Sequence, residues 1–326
     1  MMRIRIPGFL LLMTSLAGGL LAADAPKKTA VELPVQVQED RFWVTPVTPR
    51  GQTLRFFTDT GGGLIVFDDA VKRLDLKVQS IGEGMSRIDY LVLPEFRPEA
   101  SIPPPLGNEG HLNIMRPVRR PGFPTEPMDG MLGQAWFAGR VWTFDYPGKR
   151  LLWYPDGELP PHDAKHRATL GFKKDEAGKR AANFPRLTAT IDGEALDLLL
   201  ETGATVTLSD SALKALGDNG PASRATSFIV ATIFDRWRQK HPDWRVIENA
   251  DQGSLEAQPI IQVPAVTIAG HTVGPVWFTR RLDPEYQQFK ALWTDRRVEG
   301  ALGGSALKYF RVTVDYPKAV AVFERP

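Results

Sequence analysis

The sequence predicts a mostly β protein of two related lobes with a cleft between them, and three observations carry that expectation. Gly51–Gly61 (GQTLRFFTDTG) aligns without a gap with Gly193–Gly203 (GEALDLLLETG). Each copy is followed by a second matched pair, DGMLG over 129–133 and EGALG over 299–303. Both copies also end alike, in TFDYP over 143–147 and TVDYP over 313–317. Self-similarity of this kind fixes architecture before any local reading does. Short β-like runs bounded by Gly and Pro fill most of the remainder, which sets the class.

The elements follow in order. Arg3 and Arg5, an apolar run from Phe9 to Leu21 and the small residues Ala22, Ala23 and Ala25 have the layout of a secretory signal. Residues 1–23 are therefore read as a signal peptide, and the mature protein as periplasmic or secreted. The chain has no cysteine, which excludes disulfides, thiol catalysis and a lipid-modified cysteine anchor. No membrane attachment is expected after cleavage.

The first lobe spans 31–154, with strand-like segments at 41–47 and 53–57 and a short helix capped by Asp68 and running through Leu74. Residues 155–183, rich in Pro, Lys, His and Gly without periodicity, read as an interlobe linker. The second lobe spans 184–326, and a counterpart helix starts near Ser209 or Asp210 and stops at Gly217. The register of the first motif extends through Asp68/Asp210, Ala70/Ala212, Lys72/Lys214 and Leu74/Leu216.

Asp59 maps to Glu201 at an offset of 142, and Gly130 to Gly300 at an offset of 170, so the second copy holds 28 more residues between its motifs. Ile229, Ile233, Phe234 and Trp237 have helical spacing ahead of His241-Pro242, and this stretch is read as much of the excess. In the first lobe, 94–127 contains nine prolines and is expected to be a stiff, extended loop. Both stretches are candidate covers of the cleft.

The repeat places two carboxylates, Asp59 and Glu201, at equivalent points. Two carboxylates within hydrogen-bonding range share one proton, which supplies a general base and a general acid together. Other chemistries are poorly represented. A net charge of +2, with no long basic block, points away from nucleic acid. His162 and His166 have metal spacing but no third ligand nearby and are read as solvated, so no metal or other cofactor is expected. No Gly-x-Ser-x-Gly elbow or dinucleotide loop occurs. Asp145 and Asp315, each before Tyr-Pro, are read as turn-formers.

Phe57–Gly61, Leu199–Gly203 and the apolar-apolar-Gly elements 131–133 and 301–303 resemble those of the pepsin-like and retropepsin-like aspartic peptidases. The resemblance covers nearly the whole chain from Val31. It implies a bilobal fold in which Asp59 and Glu201 are catalytic, and hydrolysis of a peptide or protein substrate, by a monomer, without cofactor. It further implies that Thr60 and Thr202 brace the two loops across the interface. Gly61 and Gly203 would permit the turns, and Leu132-Gly133 and Leu302-Gly303 would support them. The chain departs from the family at Glu201, where Asp is usual; the extra methylene displaces the carboxylate by about 1.5 Å. Gly62 and Ala204 follow the two motifs. An alternative of another class is an inactive relative that holds an extended peptide in the same cleft by strand addition.

Overall fold

The computed structural model describes residues 30–117, 127–254 and 256–326. The expected signal peptide and residues 118–126, near the end of the proline-rich stretch, lie outside them. The chain is mostly β, as its sequence predicts, and its two halves build sheets of the same order. In the first half the strands lie in the order Val35–Gln38, Arg41–Val44, Phe56–Thr58, Gly130–Leu132, Leu64–Phe67, His111–Met115, Ile88–Val92, Val78–Ile81. The second half repeats this from Arg41–Val44 onward, with Arg186–Ile191, Glu194–Leu200, Gly300–Leu302, Ser227–Val230, Val276–Arg281, Gln258–Val263 and Val246–Asp251. A short hairpin, Val266–Ile268 with His271–Val273, extends its other edge.

The centre of each sheet positions the acidic motif. The strand leading into it (Phe56–Thr58 or Glu194–Leu200) runs parallel to the apolar-Gly strand (Gly130–Leu132 or Gly300–Leu302). On its far side the apolar-Gly strand pairs antiparallel with Leu64–Phe67 in one half and Ser227–Val230 in the other. The strands that enter this centre are fixed locally. Arg186–Ile191 and Glu194–Leu200 meet at Asp192-Gly193, both with positive φ (52° and 78°), the conformation that matches the twist of a two-residue hairpin. Glu39-Asp40, at 49° and 57°, turns the hairpin Val35–Gln38/Arg41–Val44 in the same conformation, and Gly51, the repeat copy of Gly193, also has positive φ (83°).

A third sheet joins the halves. Val141–Asp145 pairs antiparallel with its own repeat copy, Arg311–Asp315, and the register is centred on Thr143 opposite Thr313. Their hydroxyls are 2.7 Å apart and fully buried. A strand paired with its own copy about one central residue places an approximate twofold axis there. Asp145 and Asp315 accept the backbone N–H groups of Gly148 and Lys318, so they close turns as expected. One continuous apolar core runs across both halves, from Leu33 to Phe323.

The strand register relocates the 28-residue excess. Ile65 pairs with Met131 and Phe228 with Ala301, so Ile65 and Phe228 are equivalent at an offset of 163. Most of the extra chain therefore lies between Gly203 and Ser227. It forms the hairpin Thr205–Thr207/Ser223–Ala225 and, within it, the helix Asp210–Leu216. The helix Ala231–Lys240 is not the insertion. It follows its strand as Asp68–Arg73 follows Leu64–Phe67, and its first residue is again 163 beyond Asp68. The identities from Asp68/Asp210 to Leu74/Leu216 thus join helices that are not topological equivalents. Ile229 belongs to the preceding strand; Ile233, Phe234 and Trp237 face the core as their spacing requires.

Three smaller expectations also change. Asp68 is the first helical residue rather than the cap, and Phe67 precedes it without a side-chain bond. Ser209 does cap its helix, accepting from Ala212 N, and Gly217 ends it in the left-handed region at φ 71°. The stretch 155–183 is more than a linker. Arg167–Thr169 pairs with Val320–Glu324 at the edge of the joining sheet, where Val31–Glu32 pairs with Arg150–Tyr154 on the other side. His166 is not simply solvated: its ring stacks on His271 at 3.6 Å and its Nδ1 meets Ala269 O.

Candidate active site

Asp59 and Glu201 each begin a tight turn at the end of a parallel strand. Asp59 N donates to Leu132 O at 3.1 Å and Glu201 N to Leu302 O at 2.9 Å. The turns close through Gly62 N to Asp59 O and Ala204 N to Glu201 O. The apolar-Gly strands thus hold both motif backbones in the same way. Gly133 and Gly303 end them against carbonyl oxygens: a Cβ at either would lie 2.1 Å from Gly63 O or 2.0 Å from Thr226 O.

The two turns are tied together by their threonines. Thr60 N donates to Thr202 Oγ1 at 3.2 Å, and Thr202 N donates to Thr60 Oγ1 at 3.1 Å. Thr60 Oγ1 also donates to Leu200 O at 2.5 Å. All are buried, so each bond removes a donor that would otherwise be stranded away from water.

The carboxylates lie across this tie, each over the opposite turn. A Cβ on Gly61 would stand 2.5 Å from Glu201 Cγ, and one on Gly203 would stand 2.3 Å from Asp59 Cγ. That is the reason for glycine here. Neither residue has positive φ, so turn freedom, the expected reason, is not the requirement. The requirement is room for the partner carboxylate.

The two carboxylates are held differently. Asp59 Oδ1 accepts Gly61 N at 2.8 Å and Gly203 N at 3.3 Å, and among the described residues no backbone donor reaches Oδ2. Glu201 takes no backbone N–H among the described residues. Its Oε2 accepts the Tyr286 hydroxyl at 3.2 Å, and its Oε1 lies 3.8 Å from Lys290 Nζ. Lys290 Nζ also donates to Gly61 O at 2.9 Å, so one side chain of the second half reaches both motifs. Burial and the negative charge of Glu201 push the Asp59 carboxyl up to about 7, against the opposing Lys290 charge and the two backbone donors. Burial, then Glu201, also pushes the Tyr286 hydroxyl well above its usual range. A group with these shifts keeps its proton near neutrality, where an ordinary carboxyl has lost it.

Tyr286 and Lys290 were not singled out in the sequence. They lie in one irregular helical stretch, Glu285–Phe289 followed by Lys290–Leu292, between Val276–Arg281 and the apolar-Gly strand. Their four-residue spacing was the available signal, since it puts both on one helical face. Among the described residues, neither candidate cover bonds to the dyad. The helix Ala231–Lys240 is tied outward, through Arg236 to Glu194 and Lys240 to Asp192. The described part of the proline-rich stretch is built into the body. Ile102 is 4% exposed, Pro103 O accepts Trp136 Nε1 and Pro104 O accepts Arg140. Removing it would unpack the first half rather than lift a lid. Among the described residues, no group of three His, Cys, Asp or Glu side chains could hold a metal.

No known protein family and no curated protein matches the chain by sequence. Among solved structures, the chain is similar to an aspartic proteinase from Irpex lacteus. The identity is 11% and the TM-score 0.47, over 91% of this chain and 97% of that one.

Proposed function

We propose that the protein is an exported, aspartic-type endopeptidase that hydrolyses peptide bonds with the Asp59/Glu201 pair. The observation that carries this reading is the unequal holding of two carboxylates across one interface. Asp59, with both backbone donors on Oδ1, keeps a proton on Oδ2 and acts as the acid. Glu201 is the base. It takes a proton from a water held between the two groups, and the water oxygen bonds to the substrate carbonyl carbon while Asp59 hydrogen-bonds the carbonyl oxygen. Collapse of the tetrahedral adduct breaks the C–N bond, and the proton taken by Glu201 passes to the leaving nitrogen. The products are a carboxylic acid and an amine, and no metal or covalent intermediate is called for.

The reading divides between the two residues the roles of acid and base that the sequence gives only to the pair. It also gives Glu201 a rationale: its longer side chain reaches the Tyr286 hydroxyl, which a shorter carboxylate in the same place would miss by about 1.5 Å. Export rests on the N-terminal charge and hydropathy pattern alone. A second reading, a cleft that binds extended peptides without cleaving them, is favoured by one observation. Tyr286 and Lys290 already engage Glu201, and the two carboxylates are only 7% and 6% exposed. Digestion of a peptide library by the mature protein across roughly pH 3–8 separates the two. Cleavage that is lost in Asp59→Asn supports the peptidase. Peptide binding without cleavage at any pH supports the second reading.

A further inference from the structure

Lys290 has a placement that the pairing of two carboxylates does not require. Its ammonium touches the first motif at Gly61 O (2.9 Å) and the second at Glu201 Oε1 (3.8 Å), and it passes over the Phe184 ring at 5.5 Å. Tyr286, one helical turn earlier, is 3% exposed, packs near the Phe228 ring and donates to the other oxygen of the same carboxylate. A flexible lysine gains little from a single exposed ion pair. Here the carbonyl bond fixes the ammonium, and the Lys290 side chain is only 29% exposed.

From this geometry we infer that Lys290 and Tyr286 are positioning residues, which seat the longer Glu201 side chain as the base and balance its charge at the motif junction. The inference rests on the peptidase reading. In a bare carboxylate dyad one proton is shared and a net negative charge remains. With an ammonium fixed beside Glu201 the group as a whole is neutral, and the proton on Asp59 can be released more easily. The other charged or titratable groups around it are few. Glu285 lies on the same stretch and Arg281 at its root, where Arg281 pairs with the buried Asp251. Tyr146 and Tyr316, both buried, feel the Asp59 charge from the joining sheet. Arg281 is already neutralised by its partner, and the tyrosine hydroxyls are pushed upward by burial, so Lys290 is the cation that acts on the pair.

The test compares Lys290→Met, Lys290→Arg and Tyr286→Phe on one peptide substrate identified from the library. In Lys290→Met, kcat falls about 10–100-fold with KM little changed, the effect expected when a reacting group is misplaced by about 1 Å. The alkaline limb of the profile, set by loss of the Asp59 proton, moves to higher pH. Lys290→Arg keeps most of the turnover. Tyr286→Phe lowers kcat without moving that limb. In parallel, the Asp59 carboxyl is titrated by carbon-13 NMR in substrate-free protein, where Lys290→Met moves it upward. An unmoved limb together with an unmoved titration overturns the inference. So does a rise in turnover at every pH in Lys290→Met, which would make the lysine an obstruction. A moved titration in a wild-type protein that cleaves nothing would overturn the peptidase reading while supporting the hold of Lys290 on the dyad.

Discussion

Asp59 and Glu201 occupy the same place in two copies of one substructure, yet the two halves hold them by different means. In the first half the backbone does the work: two N–H groups converge on one oxygen of Asp59, one from each turn. In the second half side chains do it, with a tyrosine hydroxyl and an ammonium arriving from a stretch that links two strands of the same sheet. One methylene accounts for the difference. Both carboxylates reach over the opposite glycine, and the extra methylene takes that of Glu201 on into reach of Tyr286. Duplication supplied two equivalent positions, and the proposed division into one acid and one base rests on the asymmetry between them.

The comparison is broken most severely by removing either charge. Asp59→Asn and Glu201→Gln are each expected to lower turnover at least about a thousandfold, within the range for loss of a general acid or base. Rates on one peptide substrate decide it, and full activity in either variant would dismiss the pair as the catalyst. Glu201→Asp is milder and more informative. The shorter side chain restores the usual residue but withdraws from Tyr286, so turnover should fall about a hundredfold. A gain in turnover would mean that the site is not fitted to glutamate.

The threonines sharpen the comparison further, because they too are unequal. Thr60 Oγ1 both accepts from Thr202 N and donates to Leu200 O, whereas Thr202 Oγ1 receives Thr60 N. Thr60→Val strands two buried groups and is expected to cost about 2–4 kcal/mol; Thr202→Val strands one and should cost about 1–2 kcal/mol. Urea unfolding of the two variants tests the order. Comparable in size to the Thr60→Val cost is a pH effect on stability. The Asp59 carboxyl is raised in the folded protein, so its contribution is fully present below the unfolded value and is lost as pH rises through about 7. Asp59→Asn should therefore be more stable than wild type at pH 8, by up to about 4 kcal/mol, and show no gain at pH 3. The smallest effect belongs to the inserted hairpin. Ser209→Ala removes a helix cap remote from the dyad, costs about 1 kcal/mol and leaves turnover unchanged.

Much of this was legible in the sequence because the repeat is written there in unbroken register. The mostly β class, the matched sheets and the convergence of Asp59, Thr60, Glu201 and Thr202 follow from strands that end in the same motif. The insertion was misplaced for a physical reason. Residues after Gly203 kept the look of those after Gly61, but strand pairing is decided by long-range contacts, and Ser227–Val230 took the central position instead. Tyr286 and Lys290 were missed because neither belongs to the repeat, and their chemistry depends on where an irregular stretch folds back. His166 was misread because its partner, His271, is distant in sequence and adjacent only in space.

The most direct test of the central claim is a carbon-13 titration of the Asp59 carboxyl in wild type and in Glu201→Gln. Two buried carboxylates that share a proton place the wild-type transition at about 7. The transition should drop in Glu201→Gln, where the neighbouring charge is gone, and stay above the usual carboxylate range because burial remains. A transition near the ordinary value in wild type, unmoved by the substitution, would contradict the pairing of Asp59 with Glu201.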